Sequence, residues 1–432
     1  MTQSRIKDVA RINLRTLPED TDPHYKFRYV DISAVDGMGH VSIPDGDVSF
    51  SSAPSRARRT APAGSVLVST VRTYLQAIAA VPCHESNLVF STGFAILEAG
   101  RKVDGRYLGY YCRSQQFIDE VVSRSTGVSY PAINPGEIGN VPISPPSLEE
   151  QGRIADFLDP ETARIDKLID RRKIQEGNLA EKSYAAVSEI LVPGILSDPA
   201  GSWPWTWLPK AANDRPLVRL GYVCRLQNGL TVDGRRDVSG DVVTRSYLRV
   251  ANVQAGSVAL DSVTEITVPR DVADRSTLRP GDVLMTEGGD LDKLGRGTVW
   301  RGEIPDCLHQ NHVFALRPEP ARLDGDYLAL MTRTLHGRCY FESTGTKTTN
   351  LASTNSSKIL SFPIPLPDVA VQRKLAAQAQ KVLEECEVAT RLLIRQRALL
   401  AERRQALITA AVTGQFDVST ASGRNVTDGV QP

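Results

Sequence analysis

Three short segments combine residue types that could support catalysis or metal binding, and each of them is incomplete. Asn134-Pro135-Gly136-Glu137 approaches the Asn/Asp-Pro-Pro-aromatic motif of DNA methyltransferases, but it lacks the second proline and the aromatic residue, so we predict a turn. Gly345-Thr346-Lys347-Thr348 has no upstream glycine and its lysine does not directly follow a glycine, so it fails the phosphate-loop pattern. His309 and His312 are three residues apart, but no cluster of carboxylates or cysteines accompanies them to complete a metal site.

The six cysteines are widely spaced, and no two of them form a Cys-x-x-Cys pair. This spacing predicts neither a zinc site nor a disulfide framework, and we expect reduced thiols in the cytoplasm. The sequence also lacks a Gly-x-Ser-x-Gly nucleophile elbow and a Gly-x-Gly-x-x-Gly loop after a strand. We therefore predict that the chain has no catalytic residues, no cofactor site and no metal site of its own.

The composition indicates a soluble globular protein with more than one domain. The chain has 432 residues, of which 41% are hydrophobic and 23% charged, and this length predicts two or three domains. The segment 1–15 alternates charged and apolar residues, and no long apolar run is present, so we expect neither a signal peptide nor a membrane span. The formal net charge of +1 argues weakly against nucleic acid, because many DNA-binding domains are strongly basic. Any DNA binding must come from locally clustered side chains or be shared with a partner.

An internal duplication organises the chain. Short matches recur in the same order at a nearly constant offset of about 220 residues, which is far longer than the period of a solenoid repeat. The matched segments are 62–67 with 279–284, 94–96 with 314–316, 104–108 with 324–328, 138–143 with 359–364, and 151–153 with 372–374. The order of these matches favours a duplicated framework over two coincidentally similar domains.

A long helix is predicted after each globular half. The first begins near Ser147, which forms a capping box pattern with Glu150, and ends at Pro193-Gly194. Asp159-Pro160 could restart this helix, with the proline at the first helical position. The second runs from about Asp368 to Val412. Its apolar residues recur at alternating intervals of four and three positions, which is heptad spacing. The members of this seam are Leu375, Ala379, Val382, Cys386, Ala389 and Leu393. Such a seam predicts a partner, and the helix of the other half is the candidate.

We therefore predict an α/β fold with two similar mixed α/β domains and two long helical regions. The predicted boundaries are 1–146 for the first globular domain, 147–194 for the first helical region, 195–367 for the second globular domain, 368–416 for the second helical region and 417–432 for a flexible tail. A helix of about 40 residues would span about 60 Å.

Several segments resemble the specificity subunits of type I restriction-modification enzymes. The segment 134–146, followed by Glu149-Glu150-Gln151 and 154–159, is similar to the step from a recognition domain into a helix in that family. The segment 400–417 is similar to the C-terminal conserved helix of the family, and 202–209 to the entry of its second recognition domain. The chain departs from the family at 370–372, where Glu-Glu-Gln is typical, and in an altered tail motif at 191–194.

This resemblance implies a DNA-recognition function. Two target recognition domains would lie at opposite ends of an antiparallel coiled-coil pair, and each would read one half of a bipartite double-stranded DNA site. The helices would act as a ruler for the unread spacer, since half-sites one duplex turn apart are separated by roughly 34 Å. Two methylation subunits carrying S-adenosylmethionine would bind the helical region. Separate restriction subunits would carry out translocation and cleavage driven by ATP and Mg.

Within this resemblance, polar and basic residues in predicted loops are the candidates for DNA contact. Basic clusters most often contact phosphates, and an arginine can also read guanine, while Gln310 and Asn311 could pair with adenine. We expect Arg56, Arg58 and Arg59 in a loop before a strand, and Arg235, Arg236 and Arg245 in Gly-rich loops. A solvated surface or a packing role is the alternative for each. The full set is Arg56, Arg58, Arg59, Arg72, Tyr74, Arg235, Arg236, Arg245, Lys293, Arg296, Gln310, Asn311, Lys347, Thr348 and Asn350.

Three other functions stay open from the sequence. An orphan specificity subunit that serves methylation only would have the same features. A two-domain scaffold without a DNA role has the near-neutral charge as its support. An enzyme built on a duplicated α/β domain is disfavoured because no catalytic constellation was found.

Overall fold

The computed structural model describes residues 4–82, 87–196, 217–231, 240–289, 291, 294–347 and 352–418. The chain divides into two compact units, one formed by Met1–Lys173 with Leu393–Pro432 and the other by Ile174–Leu392. Each unit contains one globular domain and part of each of two long helices, Leu148–Leu191 and Val369–Val412.

Two four-stranded sheets form the first globular domain. Its strands are β1 (Ser4–Arg5), β2 (Ala10–Ile12), β3 (Lys26–Val30), β4 (Val48–Ser49), β5 (Ala57–Arg59), β6 (Val66–Ser69), β7 (Ile78–Ala80), β8 (Leu88–Ser91), β9 (Phe94–Ala99) and β10 (Pro142–Ile143). One sheet has the antiparallel order β2-β9-β6-β7. The other has the order β4-β3-β8-β5, in which β3 and β8 are parallel. β1 and β10 form a separate antiparallel pair.

The helices of the first domain cover one face of the β2-β9-β6-β7 sheet. They are α1 (Ile6–Val9), α2 (Gly105–Cys112), α3 (Gln115–Ser123) and α4 (Pro135–Gly139), with 3-10 turns at Ile32–Ala34 and Thr73–Leu75. All four residues of β6 are buried, because this strand has a core on both sides. Val66 and Val68 face the helices, while Leu67 packs between the two sheets, as the two-residue side-chain period of a strand requires.

The second domain repeats this arrangement. Its strands are β11 (Leu217–Arg219), β12 (Cys224–Asn228), β13 (Val242–Leu248), β14 (Val253–Gln254), β15 (Ser257–Val258), β16 (Thr264–Pro269), β17 (Val283–Thr286), β18 (Gly288–Gly289), β19 (Gly297–Val299), β20 (Leu308–His309), β21 (Val313–Pro318), β22 (Thr346–Lys347), β23 (Ala352–Ser353) and β24 (Pro363–Pro365). The sheet β12-β21-β17-β19 has the same antiparallel order as the first sheet of the first domain. The sheet β16-β13-β20 again contains one parallel pair, β13 with β20.

The helices of the second domain also repeat those of the first. They are α6 (Arg270–Ser276), α7 (Gly325–Met331), α8 (Leu335–Thr344) and α9 (Ser356–Leu360), with 3-10 turns at Leu220–Tyr222 and Val250–Asn252. Helices α7, α8 and α9 correspond to α2, α3 and α4. Asp104 and Asp324 cap α2 and α7 in the same way, each accepting two backbone N–H groups of the first turn. These repeats confirm the predicted duplication of an α/β fold.

Strand pairing corrects one of the sequence matches by a single residue. Phe94 lies opposite Ser69, and it is Val313, not Phe314, that lies opposite the matching Thr286. Phe94 packs between the two sheets, whereas Phe314 packs on the helical face. The match of 94–96 with 314–316 was therefore wrong by one position, since a one-residue shift in a strand moves every side chain to the other face.

The first long helix, α5 (Leu148–Leu191), begins at the predicted N-cap and does not restart at Asp159-Pro160. The Oγ atom of Ser147 accepts a 3.2 Å hydrogen bond from the N–H of Glu150. Pro160 lies inside the helix, which continues without a break. Beyond its last residue, Gly194 has a φ of +80°, the left-handed conformation that commonly ends a helix.

The second long helix, α10 (Val369–Val412), pairs with α5 inside each unit. In the first unit, Arg404 contacts Asp166 and Phe416 contacts Phe157, so the two helices run antiparallel. Ile154, Leu158, Leu407 and Ile408 share one core with the first domain. In the second unit, residues of both helices share a core with the second domain: Val187, Leu191, Ala376 and Ala379. The predicted antiparallel helical pair is thus confirmed within each unit.

No helix in the described part of the chain is both long and apolar enough to cross a membrane.

Candidate nucleic-acid interface

Two loops of the first domain are joined into one rigid platform at the end of β6. The loop 70–77 follows β6, and the loop 124–133 follows α3. Backbone bridges connect Val71 with Ala132 and Thr126 with Ala132. The hydroxyls of Thr73 and Ser125 lie 2.9 Å apart, and the N–H of Ile133 donates to the carbonyl of Thr70 at 2.8 Å. These bonds fix both loops against the sheet.

Helix α3 connects the platform to a contact with the long helix α10. The N–H of Gln115, at the start of α3, donates a 3.0 Å hydrogen bond to Thr409 of α10. Helix α3 has 9 residues, so the loop after Ser123 begins about 13 Å further along its axis.

The tips of these loops expose apolar and cationic side chains together. Tyr74 is 56% exposed, Tyr130 is 68% exposed and Val128 is fully exposed. Arg72 lies beside them with a left-handed backbone (φ 50°, ψ 50°), and its guanidinium is 5.2 Å from the ring centre of Tyr130. An exposed cluster of this kind marks an interaction surface. A left-handed arginine costs about 1 kcal/mol, which the anchoring bonds of the platform must offset.

A cavity of about 620 Å³ lies next to the platform and contains two of the predicted arginines. Arg56 and Arg72 line it together with Tyr130, Asp31 and Asp36. Asp31 accepts hydrogen bonds from the N–H and the hydroxyl of Ser33, and Asp36 bonds both the backbone N–H and the ring of His40. The structure thus brings together Arg56 and Arg72, with Tyr74 exposed nearby.

Arg58 and Arg59 do not lie in a loop, which corrects the prediction. Both belong to β5, whose register with β8 shifts between Ala57 and Arg59, so that Arg58 is the extra residue of a bulge. The guanidinium of Arg58 stacks on Phe50 at 4.5 Å. Arg59 is half-buried, and burial lowers its pKa. The four-residue basic run 56–59 is therefore divided among different environments.

The second domain has an equivalent platform with different side chains. Thr286, at the end of β17, leads into β18, which pairs with β23 in the small sheet β18-β23-β22. Lys347 lies in β22 and is exposed, at the place that Gly127 and its neighbours occupy in the first domain. His312 contacts Glu287 at 2.5 Å, and both side chains are accessible. The described residues of this face include a lysine, a histidine and a carboxylate where the first domain presents arginine and tyrosine.

Gln310 and Asn311 form the turn between β20 and β21 on the same side of the second domain. The N–H of Gln310 donates to the carbonyl of Leu248 at 2.8 Å, and that of Asn311 donates to Leu230 at 2.9 Å. Both side chains are half-buried. Gly229 makes this turn possible, because a Cβ there would lie 2.2 Å from the carbonyl oxygen of Gln310. His309 is buried, and its Nδ1 atom lies 2.7 Å from the carbonyl of Val313, which gives it a packing role.

Two further candidates occupy different surroundings from those predicted. Arg245 lies in β13, not in a loop, and forms a 3.3 Å ion pair with Asp306. Arg296 lines a cavity together with Tyr184 of α5 and Leu383 of α10, so it faces the helices and not Lys347. Neither is placed with the platform of the second domain.

Five candidates lie outside the described residues: Arg235, Arg236, Lys293, Thr348 and Asn350. The segment 202–209, which resembles a family motif, is outside them as well.

Sequence reasoning missed Tyr130, Val128 and the contact between His312 and Glu287. Thr126 to Tyr130 form five consecutive exposed residues with a φ of +102° at Gly127, and this Gly/Ser-containing run was the available signal. The segment at Asn134 is a helix start rather than a simple turn. Asn134 caps α4, with Pro135 at the first helical position.

Comparisons with known proteins agree with the architecture. Residues 1–176 match the family described as type I restriction modification DNA specificity domain. The chain is 22% identical over 332 residues to the type I restriction enzyme EcoKI specificity subunit of Escherichia coli (strain K12), covering 76% of this chain and 69% of that protein. It is 21% identical over 289 residues to the StySPI specificity subunit of Salmonella potsdam, covering 65% of this chain and 58% of that protein.

A solved structure has the same fold. Its description concerns complex assembly and conformational transition of the type I R-M system, and it matches with a TM-score of 0.71 at 24% identity, covering 96% of this chain and 98% of the other. The resemblance to the specificity subunits of type I restriction-modification enzymes is therefore confirmed, and it rests on the match of residues 1–176 to their DNA specificity domain.

Proposed function

We propose that this chain is the DNA sequence-recognition subunit of a type I restriction-modification complex. Each globular domain reads one half of a bipartite double-stranded DNA site through its loop platform. The observation that carries the proposal is the duplicated framework with two different platforms. The first exposes Arg72 and Tyr130, and the second exposes Lys347 and His312. A repeated scaffold with unlike loops is what two unlike half-sites require.

The helical pair serves as spacer and docking element in this proposal. Two methylation subunits bind the helices and supply S-adenosylmethionine, and restriction subunits supply the ATP- and Mg-dependent steps. The chain itself holds no cofactor and catalyses no reaction, and it acts in the cytoplasm. The relatives are named as specificity subunits, which supports a place within such a complex.

The test is to express the chain with the methylation subunit encoded beside it and to map N6-methyladenine in host DNA by long-read sequencing. One methylated motif with two specified halves around a fixed gap supports the proposal. A stable complex without methylation favours a scaffold, and methylation of one continuous short site contradicts reading by two domains. Methylation without any restriction of unmodified phage identifies an orphan specificity subunit.

An exchange of domains tests whether the halves read independently. Replacing residues 1–140 with the corresponding segment of another specificity subunit should change one half of the methylated motif and leave the other unchanged. A change in both halves would contradict independent reading.

A further inference from the structure

We propose that Arg72 reads a guanine in the half-site of the first domain, and that Tyr130 positions it for this contact. The inference rests on the proposed function and assigns one base and two residues within it.

The backbone of Arg72 is fixed before any ligand binds. The residue follows Val71, which is bridged to Ala132, and precedes Thr73, which is buried and bonded to Ser125. The carbonyl of Arg72 accepts a 2.8 Å hydrogen bond from Leu75, closing the 3-10 turn. A residue held in a strained conformation by its surroundings is a recurrent property of ligand-binding sites.

The side chain of Arg72 presents the donors that guanine requires. Tyr130 covers one side of the Arg72 guanidinium, whose central carbon lies 5.2 Å from the ring centre, and a guanidinium carries its five N–H donors in its own plane. Guanine offers two acceptors, O6 and N7, on one edge in the major groove, and a planar pair of N–H groups matches them. Among the described residues, we find no hydrogen bond or ion pair of the Arg72 guanidinium.

Several other arginines of the first domain already have partners. Arg15 pairs with Glu98, Arg124 pairs with Glu120 and Glu137, and Arg106 pairs with three aspartates. Arg113 is buried, and burial lowers its pKa. Arg56 is exposed in the same cavity as Arg72. It lacks a stacking partner among the described residues, which suits phosphate contact better than base reading.

Among the described residues of the second platform, no arginine follows β17 at the place of Arg72. The corresponding segment contains Gly288 and Gly289. The proposed guanine contact is therefore specific to the first domain, and a change of Arg72 should affect one half-site only.

The experiment measures binding of the complex of this chain with its methylation subunit to duplexes that carry the mapped site. Each guanine of the site is replaced in turn by 7-deazaguanine, which lacks the N7 acceptor but keeps base pairing. We expect one guanine, in the half-site of the first domain, whose replacement weakens binding by the wild-type complex about tenfold. The Arg72→Gln complex should bind the unmodified duplex and the duplex with 7-deazaguanine at that position equally. Arg72→Gly, which removes the left-handed strain, should behave like Arg72→Gln, so that a folding defect cannot explain the result.

The control is Arg101→Gln, an exposed arginine in the loop after β9. It should keep the wild-type response to 7-deazaguanine. Base reading by Arg72 is overturned if the effect of 7-deazaguanine is the same in wild type and Arg72→Gln at every guanine. It is also overturned if Arg72→Gln weakens binding to all duplexes uniformly and lowers the slope of log K against log salt by about the amount of one phosphate contact. A wild-type complex without any bipartite motif contradicts the proposed function itself, so the two failures are distinguishable.

The role of Tyr130 is tested by a conservative and a disruptive variant. Tyr130→Phe keeps the aromatic face and should keep discrimination at the same guanine. Tyr130→Ala should lose most of that discrimination while leaving the other half-site intact. Equal discrimination by both variants would contradict positioning by the ring.

Discussion

The Oε1 atom of Gln151 accepts a 2.8 Å hydrogen bond from the backbone N–H of Asp104, the residue that caps helix α2. Its Nε2 atom donates to the carbonyls of Pro146 at 2.8 Å and Lys102 at 3.4 Å. Gln372 makes the equivalent three bonds in the second domain, to Asp324, Pro367 and Arg322. Both glutamines are fully buried. One side chain at the start of each long helix thus fixes the adjoining domain to that helix.

We predict that Gln151→Leu destabilises the first unit by about 3 kcal/mol, because it leaves buried backbone groups without partners. Urea unfolding of the full chain measures the change, and Gln372→Leu should have a similar effect on the second unit. Gln396→Leu, at an exposed position of α10, is the control and should change stability by less than about 0.5 kcal/mol. A loss as small as that of the control would show that water replaces these bonds.

The duplication and both helices could be predicted from the sequence, because their signals are periodic or repeated over long stretches. The residue-by-residue alignment of strand β9 with strand β21 could not be predicted. Phe94 and Phe314 are the same residue type, but their side chains lie on opposite faces of the equivalent sheets. The loop before Asp324 is one residue longer than the loop before Asp104, and short apolar runs do not record such an insertion. The register of a strand pair depends on contacts between residues that are far apart in the sequence. A match between two short segments carries no information about those contacts.

The candidate site was predicted only in part, for a related reason. Arg72 and Tyr74 were found because they follow a recognisable strand. Tyr130 was missed, since its contact with Arg72 joins residues 58 positions apart and depends on the pairing of Val71 with Ala132. Charge alone was misleading at Arg58 and Arg245, where the side chains belong to strands and already have partners.

Arg404 of α10 is buried, and its Nε atom lies 2.8 Å from the carboxylate of Asp166 of α5. We predict that Arg404→Met destabilises the first unit by about 2 kcal/mol. The cost of leaving a buried charge unpaired is about 3–5 kcal/mol, and it is reduced here because Asp166 also contacts His40. Arg403→Met, at the exposed neighbouring position, is the control and should be nearly neutral. Equal urea midpoints for the two variants would contradict a stabilising role of this pair.

His40 connects a loop of the first domain to the same carboxylate. Its pKa is raised to about 9, chiefly by the carboxylate of Asp166, which lies 3.5 Å from its Nε2 atom, and further by Asp36, against the lowering effect of burial. Because the folded pKa lies above the ordinary value of 6.5, the contribution to stability is complete below pH 6.5 and is lost as the pH rises through 9. The side chain is half exposed, so we expect a loss of only about 1 kcal/mol.

Hydrogen exchange of the backbone amides of residues 36–42 measures this local stability. In the wild type, protection corrected for the intrinsic rate should fall between pH 6.5 and 9.5. In His40→Gln it should be lower at pH 6.5 and nearly constant with pH. His24→Gln, at an exposed position, is the control and should reproduce the wild-type profile. The same pH dependence in His40→Gln as in the wild type would rule out this histidine as the cause.

Lys347 is expected to contact a DNA phosphate at the platform of the second domain. Its side chain is exposed at the edge of a small sheet, and a single ammonium group is a point charge without the planar donor pair that reads guanine. For the complex with the methylation subunit, Lys347→Ala should weaken binding to specific and non-specific duplexes equally and lower the slope of log K against log salt by about 1. Lys102→Ala, an exposed lysine in the loop after β9, should leave both quantities unchanged. An altered base preference with an unchanged slope would instead assign Lys347 a contact to a base edge, because only phosphate neutralisation releases counterions.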